Sequence, residues 1–234
     1  MAALTPDYAQ VEMHVVEMTN AFRRENKLGQ VRINPKLSAA ARKYAALLAK
    51  TQEFSHTAGG TNAGDRIKAS GYDYCGYGEN LAMAADSRGF ASRPLASSAV
   101  TGWINSPGHR ANMLAANVTE IGVGVALVPY QYPKYVTVQL FGQPSSGAVE
   151  FQISNTTKAT ISYTFAGKKH KIEPSYAITH TSCSAGPIAF EKAGGIFGSS
   201  AKASVEAGNG KNYVLQSDGK DGLKVETKAR RKIE

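Results

Sequence analysis

Three short segments of the chain carry side chains that can bind a metal ion or exchange a proton. They span residues 54–56, 78–81 and 106–114, and the side chains are His56, Glu79 and His109. Imidazole nitrogens and carboxylate oxygens are zinc ligands in proteins. If the fold brings the segments together, they form a polar cleft able to hold a divalent cation. We therefore predict these three residues as metal ligands.

The local sequence around His109 favours a neutral imidazole. Ser106 is a good N-cap residue and Pro107 suits the first helical position, so we expect His109 in the first turn of a helix. The positive end of the helix dipole there disfavours imidazolium. A neutral imidazole is what metal coordination or general-base chemistry requires.

The local sequences around His56 and Glu79, each taken alone, are weaker evidence for a metal ligand. We expect His56 at the C-terminal edge of the second helix, and Glu79 after a turn at Gly78 that aims its carboxylate inward. A histidine near a turn is more often a capping or core residue, and a glutamate beside glycine is more often solvated. The combination of three such segments carries the prediction. The neighbours predicted to line the ligand cleft are Asn80, Ser106 and Tyr77.

The first half of the chain has mainly helical periodicity. Apolar residues recur at three- and four-residue spacing from Tyr8 to about Gly29, and again from Asn34-Pro35 to about Phe54. Further predicted elements are a short helix from residue 61 or 62 to 71, a glycine- and tyrosine-rich loop at 71–78, a helix over 95–105, and another that begins at 106. Strand-like runs at 121–128 and 135–141 predict an antiparallel hairpin.

The second half of the chain consists of short β-type segments separated by glycine turns. The predicted strands are 149–153, 159–165, 171–178, 188–191, 203–206, 212–216 and 222–227. Such spacing is typical of a small sandwich or barrel. We therefore predict two domains, 1–144 and a C-terminal β domain over 145–234, with a linker at 144–147 and a disordered basic tail from Lys228.

The ordered motifs of the first half resemble the CAP superfamily (SCP domain), in its bacterial form. This superfamily includes cysteine-rich secretory proteins, antigen 5 and plant pathogenesis-related proteins. The matching stretches, within roughly residues 5–143, are 20–24, 54–56, 65–66, 71–72, 78–82, 103–114 and 120–124. The resemblance implies an α+β fold, in which a CAP-type α-β-α sandwich precedes the small all-β domain.

The resemblance also implies a functional cleft. The family's cleft typically holds two histidines and two glutamates, and His56, Glu79 and His109 match three of those positions. The place of the second glutamate in many eukaryotic members is Ser106 here. Two histidines and one glutamate could still hold zinc or another divalent cation with open positions. The departure predicts lower affinity and puts a two-carboxylate mechanism in doubt.

Three functions follow as alternatives. The resemblance favours a secreted, non-enzymatic module that binds a divalent cation, or a small or lipid-like ligand, with Tyr72, Tyr74 and Tyr77 offering apolar faces. A metal-dependent hydrolase of peptide or cell-wall substrates is the second, although the sequence has no His-Glu-x-x-His motif and no nucleophile elbow. Cell-envelope adhesion through the C-terminal β domain is the third.

The charge pattern argues against specific nucleic-acid binding. The net charge is +9, but the basic residues are scattered, with clusters only at 168–171 and 228–232. A basic recognition helix and an aromatic RNA-binding signature are both missing. We expect weak attraction to acidic polymers such as cell-wall polyanions or lipid headgroups.

The two cysteines and the N-terminus bear on the compartment. Cys75 and Cys183 form no Cys-x-x-Cys motif, which excludes a thiolate zinc site. They could bridge two halves of an exported protein, or both could be free, and their differing contexts favour free thiols. Since no apolar run could span a bilayer, we expect no transmembrane helix. A leader is absent from this chain, so the protein is cytosolic or its leader was removed, and the resemblance favours a secreted or periplasmic protein.

Overall fold

The apolar stripes of the first half form helices in the computed structural model, which describes residues 3–193, 201–219 and 222–230. The helices are α1 (Tyr8–Glu25), α2 (Pro35–Thr51), α3 (Ala63–Ala69), α4 (Ser92–Asn105) and α5 (Pro107–Met113), with 3₁₀ turns at Ala58–Gly60 and Ser145–Gly147. The predicted helices are confirmed, but two end earlier than expected. α2 stops because Gln52 adopts a left-handed conformation with φ 58°, so His56 lies in the loop beyond the helix.

Polar side chains cap the starts of α2 and α3. The Asn34 side chain accepts hydrogen bonds from Lys36 N and Leu37 N at 2.9 and 3.3 Å. Asn62 and Asp65 form a reciprocal capping box at the start of α3. Such side chains satisfy backbone donors that have no partner within the helix.

A four-stranded sheet forms the middle layer of the first half. Its strands are β1 (Arg32–Ile33), β2 (Tyr74–Ala85), β3 (Glu120–Val128) and β4 (Lys134–Pro144), in the order β1-β3-β4-β2. β3 and β4 form the predicted antiparallel hairpin. One hydrophobic cluster joins the sheet to α1, α4 and α5, and a second joins it to α2 and α3. The result is the predicted α-β-α sandwich.

Strand β2 corrects the prediction of a loop and turn before Glu79. Glu79 lies in the middle of this strand, opposite Leu140 of β4. The segment is rich in glycine and alanine and has low strand propensity of its own. Antiparallel pairing with the buried strand β4 stabilises it as a strand. Gly78 permits close packing, since a Cβ there would come within 3.2 Å of Asn112 Oδ1.

The chain divides into two compact units, residues 1–146 and 147–234. The second unit contains two four-stranded sheets with the orders β10-β9-β6-β7 and β12-β11-β5-β8. The strands are β5 (Val149–Asn155), β6 (Ile161–Phe165), β7 (Lys168–Ile172), β8 (Ala177–Ser182), β9 (Pro187–Lys192), β10 (Ala201–Glu206), β11 (Lys211–Asp218) and β12 (Gly222–Ala229). One shared cluster of buried apolar side chains lies within this unit, as expected for a sandwich.

Two predictions in the second unit are wrong. Residues 171–178 are not one strand, because a turn at Pro174 and Ser175 separates β7 from β8. Ser175 has a positive φ of 65°. The tail is ordered further than predicted, since Lys228 of β12 pairs with Asn212 of β11, and Arg230 forms an ion pair with Glu150. Residues 231–234 lie outside the described part of the chain.

The cysteines also differ from expectation. Cys75 and Cys183 are both disulfide-bonded, so the expectation of free thiols is wrong. A disulfide depends on how the fold places the two Cα atoms, and the neighbouring residues in the sequence do not report that placement. Across the described ranges, the structure contains no helix with the length and apolarity that a membrane crossing requires.

Candidate functional site

The centre of the site is the carboxylate of Glu79. Its side chain is only 4% exposed, and both of its oxygens are occupied. Oε1 lies 2.8 Å from His56 Nδ1, and Oε2 accepts a hydrogen bond from Arg66 Nη2 at 2.6 Å. A buried carboxylate is tolerated where partners of this kind compensate its lost hydration. Glu79 therefore joins β2, α3 and the loop after α2.

Arg66 holds the loop that carries His56. Its guanidinium stacks on the ring of Tyr44, with Cζ 3.3 Å from the ring centroid, and donates to the carbonyl oxygens of His56 and Thr61. Tyr44 in turn donates its hydroxyl to the carbonyl oxygen of Ser55. Sequence reasoning did not assign a role to Arg66 or Tyr44. The signal for Arg66 was its place in a stretch that resembles the family.

His56 presents one ring nitrogen to the protein and keeps the rest of its ring accessible. The side chain is 56% exposed, and Nδ1 faces the Glu79 carboxylate. When Nδ1 carries the proton and donates it to this carboxylate, Nε2 has a free lone pair. This Nδ1–H tautomer is the one that a metal ligand coordinating through Nε2 needs.

His109 lies on α5, near His56. Burial lowers the pKa of His109 below its ordinary value, and the positive charge of protonated His56 lowers that pKa further. Sequence reasoning predicted the same direction from the helix dipole, but burial and the second imidazole are the causes found here. Both histidines are within electrostatic reach of each other, and the neutral form of His109 is favoured.

Asn80 braces α5 against β2 and is fully buried. Its amide nitrogen donates to the carbonyl oxygen of His109 at 3.1 Å and to Gln139 Oε1 at 2.9 Å, while its oxygen accepts from Asn112 Nδ2 at 2.9 Å. Asn112 also donates to the carbonyl oxygen of Glu79. Asn80 was predicted to line the cleft, but its contacts make it a positioning residue.

A mainly apolar cavity of about 330 Å³ adjoins His109. Phe54, Met83 and Trp103 line it, together with Ser106. Ser106 is the N-cap residue of α5, as predicted, but its side chain makes no capping hydrogen bond. The Ser106 carbonyl oxygen accepts the first helical hydrogen bond of α5, from Arg110 N at 2.8 Å.

The predicted tyrosines have different positions. Tyr77 is 44% exposed and packs edge-on against Tyr74, at a ring-centroid distance of 4.8 Å. Tyr72 is buried and donates its hydroxyl to Glu120 Oε2 at 2.6 Å. Tyr72 therefore offers no open face to a ligand.

Comparison with known sequences gives the family. The sequence model of the cysteine-rich secretory protein family, CAP, matches residues 16–141, more than half of the chain. The chain belongs to this family. The CAP domain thus contains the three predicted site residues and the sheet that positions them.

Individual relatives cover only part of the chain. The protein YkwD of Bacillus subtilis is 34% identical over 114 residues, which is 48% of this chain and 41% of YkwD. An extracellular protein containing an SCP domain from Bacillus anthracis has a structure with 26% identity and a TM-score of 0.49, covering 61% of this chain and 45% of that one. The structure of NaASP2 with Zn²⁺ has 19% identity and a TM-score of 0.41, and the match covers 57% of this chain and 80% of that one. The chain spans less than half the length of YkwD.

The residues of the CAP domain do not form a three-ligand metal group as they stand. Across residues 3–193, 201–219 and 222–230, no three His, Cys, Asp or Glu side chains are arranged to hold one ion. Glu79 already bonds to Arg66 and His56. The two imidazoles are the groups with ligand capacity that remain at this site.

Proposed function

We propose that this CAP domain binds a divalent cation, such as zinc, through the imidazoles of His56 and His109, with Glu79 orienting His56. The observation that carries the proposal is the 2.8 Å contact between His56 Nδ1 and the buried Glu79 carboxylate. Metal-binding histidines commonly donate their other ring N–H to a carboxylate, which fixes the tautomer and raises the basicity of the ligating nitrogen. Glu79 thus changes from a predicted ligand to an orienting residue.

The chemistry of these residues fits a weakly held, accessible cation. Imidazole suits zinc and other late divalent metals, and the lowered pKa of His109 favours its neutral, ligating form. Two protein ligands leave coordination positions open. A bound cation would supply a positive charge for an anionic group, and the apolar cavity beside His109 would receive the rest of a small or lipid-like ligand.

A binding role fits the site better than hydrolysis. A hydrolase needs a free carboxylate or imidazole to take a proton from water. Both oxygens of Glu79 are engaged by Arg66 and His56, so Glu79 is not free to act as that base, and in this proposal both imidazoles are occupied by the cation. We therefore propose a non-enzymatic module.

We also infer that the protein acts outside the cytoplasm. Both cysteines are in disulfide linkage, and disulfides persist mainly in oxidising compartments. The relative from Bacillus anthracis is described as extracellular. A secreted or periplasmic location agrees with both observations.

Calorimetric titration of zinc into the whole protein tests the cation site. We expect one ion to bind to wild type, and His56→Ala and His109→Ala each to weaken binding by tenfold or more. His14→Ala is the matched control, since His14 lies on α1 and contacts Glu17. Equal zinc affinity in wild type, His56→Ala and His109→Ala would remove both residues from the site.

A further inference from the structure

The second unit carries an open surface, which we call the lysine trough, on the outward face of the sheet β10-β9-β6-β7. Cross-strand register arranges its side chains in two rows. The first row is Lys171, Ser162, Glu191 and Lys202, and the second is Lys169, Thr164, Ala189 and Ser204. These positions alternate with the buried side chains of the same strands, so both rows face away from the core.

The middle of the lysine trough is shallow because its side chains are small. Ser162, Thr164, Ala189 and Ser204 leave an open cavity of about 860 Å³ over the sheet. Four strands at a spacing of about 4.8 Å place the edge lysines roughly 14 Å apart. This length suits several units of an extended polymer lying across the strands.

The charge of the lysine trough is positive and largely uncompensated. Lys169 and Lys171 form no ion pair with any residue in the described ranges, and Lys202 lies 3.9 Å from Glu191 in an exposed pair. The interaction energy of such an exposed ion pair is small and is screened by salt, so Glu191 neutralises Lys202 only weakly. Two lysines on one edge, with a third across the sheet, favour an anionic ligand.

The side chains of the trough distinguish between classes of anionic polymer. Binding of single-stranded nucleic acid requires aromatic rings on which bases stack, but Tyr163 and Phe190 are buried under this face at 2% and 1% exposure. Lysine binds phosphate as a point charge, without the bidentate geometry that arginine gives to phosphate or carboxylate. Hydroxyl groups of serine and threonine can donate to phosphate oxygens.

We infer that the lysine trough binds a linear polyol-phosphate polymer, a chain of phosphodiesters without bases. This site is separate from the proposed cation site and does not depend on it. The electrostatic part of the binding free energy comes from counterion release, so the affinity falls as the salt concentration rises. The ligand would be held by its repeating phosphates, with its polyol hydroxyls against the small residues of the trough.

Fluorescence anisotropy with labelled poly(glycerol phosphate) and the full chain tests this inference. The test variant is Lys169→Gln with Lys171→Gln, and the matched control is Lys211→Gln with Lys224→Gln, which changes the charge equally on the other sheet of the same unit. We expect the test variant to lose about tenfold in affinity at low salt, and the control less than twofold. The dependence of log K on log salt should become less steep in the test variant, because fewer phosphate contacts release counterions.

A second variant, Ala189→Glu, keeps the test decisive if the double variant folds poorly, and should also reduce binding tenfold. Thermal melting of each variant checks its fold. Equal losses in the test and control variants, or no binding by wild type, would overturn the inference. Tighter binding of oligothymidine or of hyaluronan than of poly(glycerol phosphate) would also overturn it, in favour of nucleic acid or of a carboxylate polymer.

Discussion

At the level of single residues, the Glu79 carboxylate determines how His56 is held. This carboxylate is buried and bonded to Arg66 on one side and to His56 on the other. Burying a charge is costly unless it is paired. Loss of either partner would therefore leave a buried charge uncompensated, and the contact with Glu79 also sets the direction in which the His56 ring points.

Replacing this carboxylate with an amide should be strongly destabilising. Glu79→Gln leaves the Arg66 charge buried, at 10% side-chain exposure, without a counter-charge. We expect the free energy of unfolding to fall by about 3–5 kcal/mol, measured by urea denaturation. The control Glu17→Gln affects an exposed partner of His14, and should change stability by less than about 1 kcal/mol. A similarly small change in Glu79→Gln would contradict the assigned role.

His109 should make stability depend on pH in a defined direction. The folded state lowers its pKa, so the unfolded chain, with a histidine pKa of about 6.5, takes up the proton first as the medium becomes acidic. The contribution of neutral His109 is present above pH 6.5 and is lost as pH falls toward the lower folded pKa. Urea unfolding from pH 7.5 to 5 should show a steeper loss in wild type than in His109→Asn. Parallel curves of unfolding free energy against pH for the two proteins would show that folding does not change the pKa of His109.

At the level of elements, the amide network between β2 and α5 fixes His109 relative to Glu79. Asn80 connects the carbonyl oxygen of His109 to Gln139, whose amide donates to Thr19 Oγ1 of α1 at 2.9 Å. Buried side-chain networks of this kind are costly to leave partly satisfied. The network makes the position of His109 depend on the edge strand rather than on α5 alone.

Truncating Asn80 should therefore affect both stability and cation binding. Asn80→Ala leaves buried groups unpaired, so unfolding should become easier by about 1–3 kcal/mol, and zinc affinity should fall. Asn117→Ala is the control, because its amide bonds to Gln143 in an exposed position. Urea denaturation and zinc calorimetry on both variants provide the measurements. Unchanged zinc affinity in a folded Asn80→Ala protein would show that the network does not position His109.

The same elements show what the sequence can predict. Helix caps at Asn34 and Asn62 and the β3–β4 hairpin follow from local signals, and the structure contains them. Strand β2 was missed because glycine and alanine carry little strand signal, and its pairing with β4 supplies the missing stabilisation. The role of Arg66 depends on Tyr44 and Glu79, which are distant in sequence, so no local pattern could reveal it.

At the level of the whole molecule, the two proposed binding sites lie in two units that differ in kind. The CAP domain has two imidazoles that interact electrostatically, and an apolar cavity beside one of them. The second unit has lysines on the outward face of a sheet. Strand periodicity predicted the sandwich, whereas the alignment of lysines in rows depends on register, which the sequence leaves open. The disulfide state of Cys75 and Cys183 is likewise a property of the folded chain.

The most direct test of the central proposal uses all five histidines of the chain. Zinc is titrated into ¹⁵N-labelled protein while long-range ¹H–¹⁵N spectra report each imidazole. We expect the Nε2 resonance of His56 and the ring resonances of His109 to shift together, at the same zinc concentration. His14, His170 and His180 should remain unchanged. Shifts confined to one of the two site histidines, or spread over all five, would contradict a shared cation site.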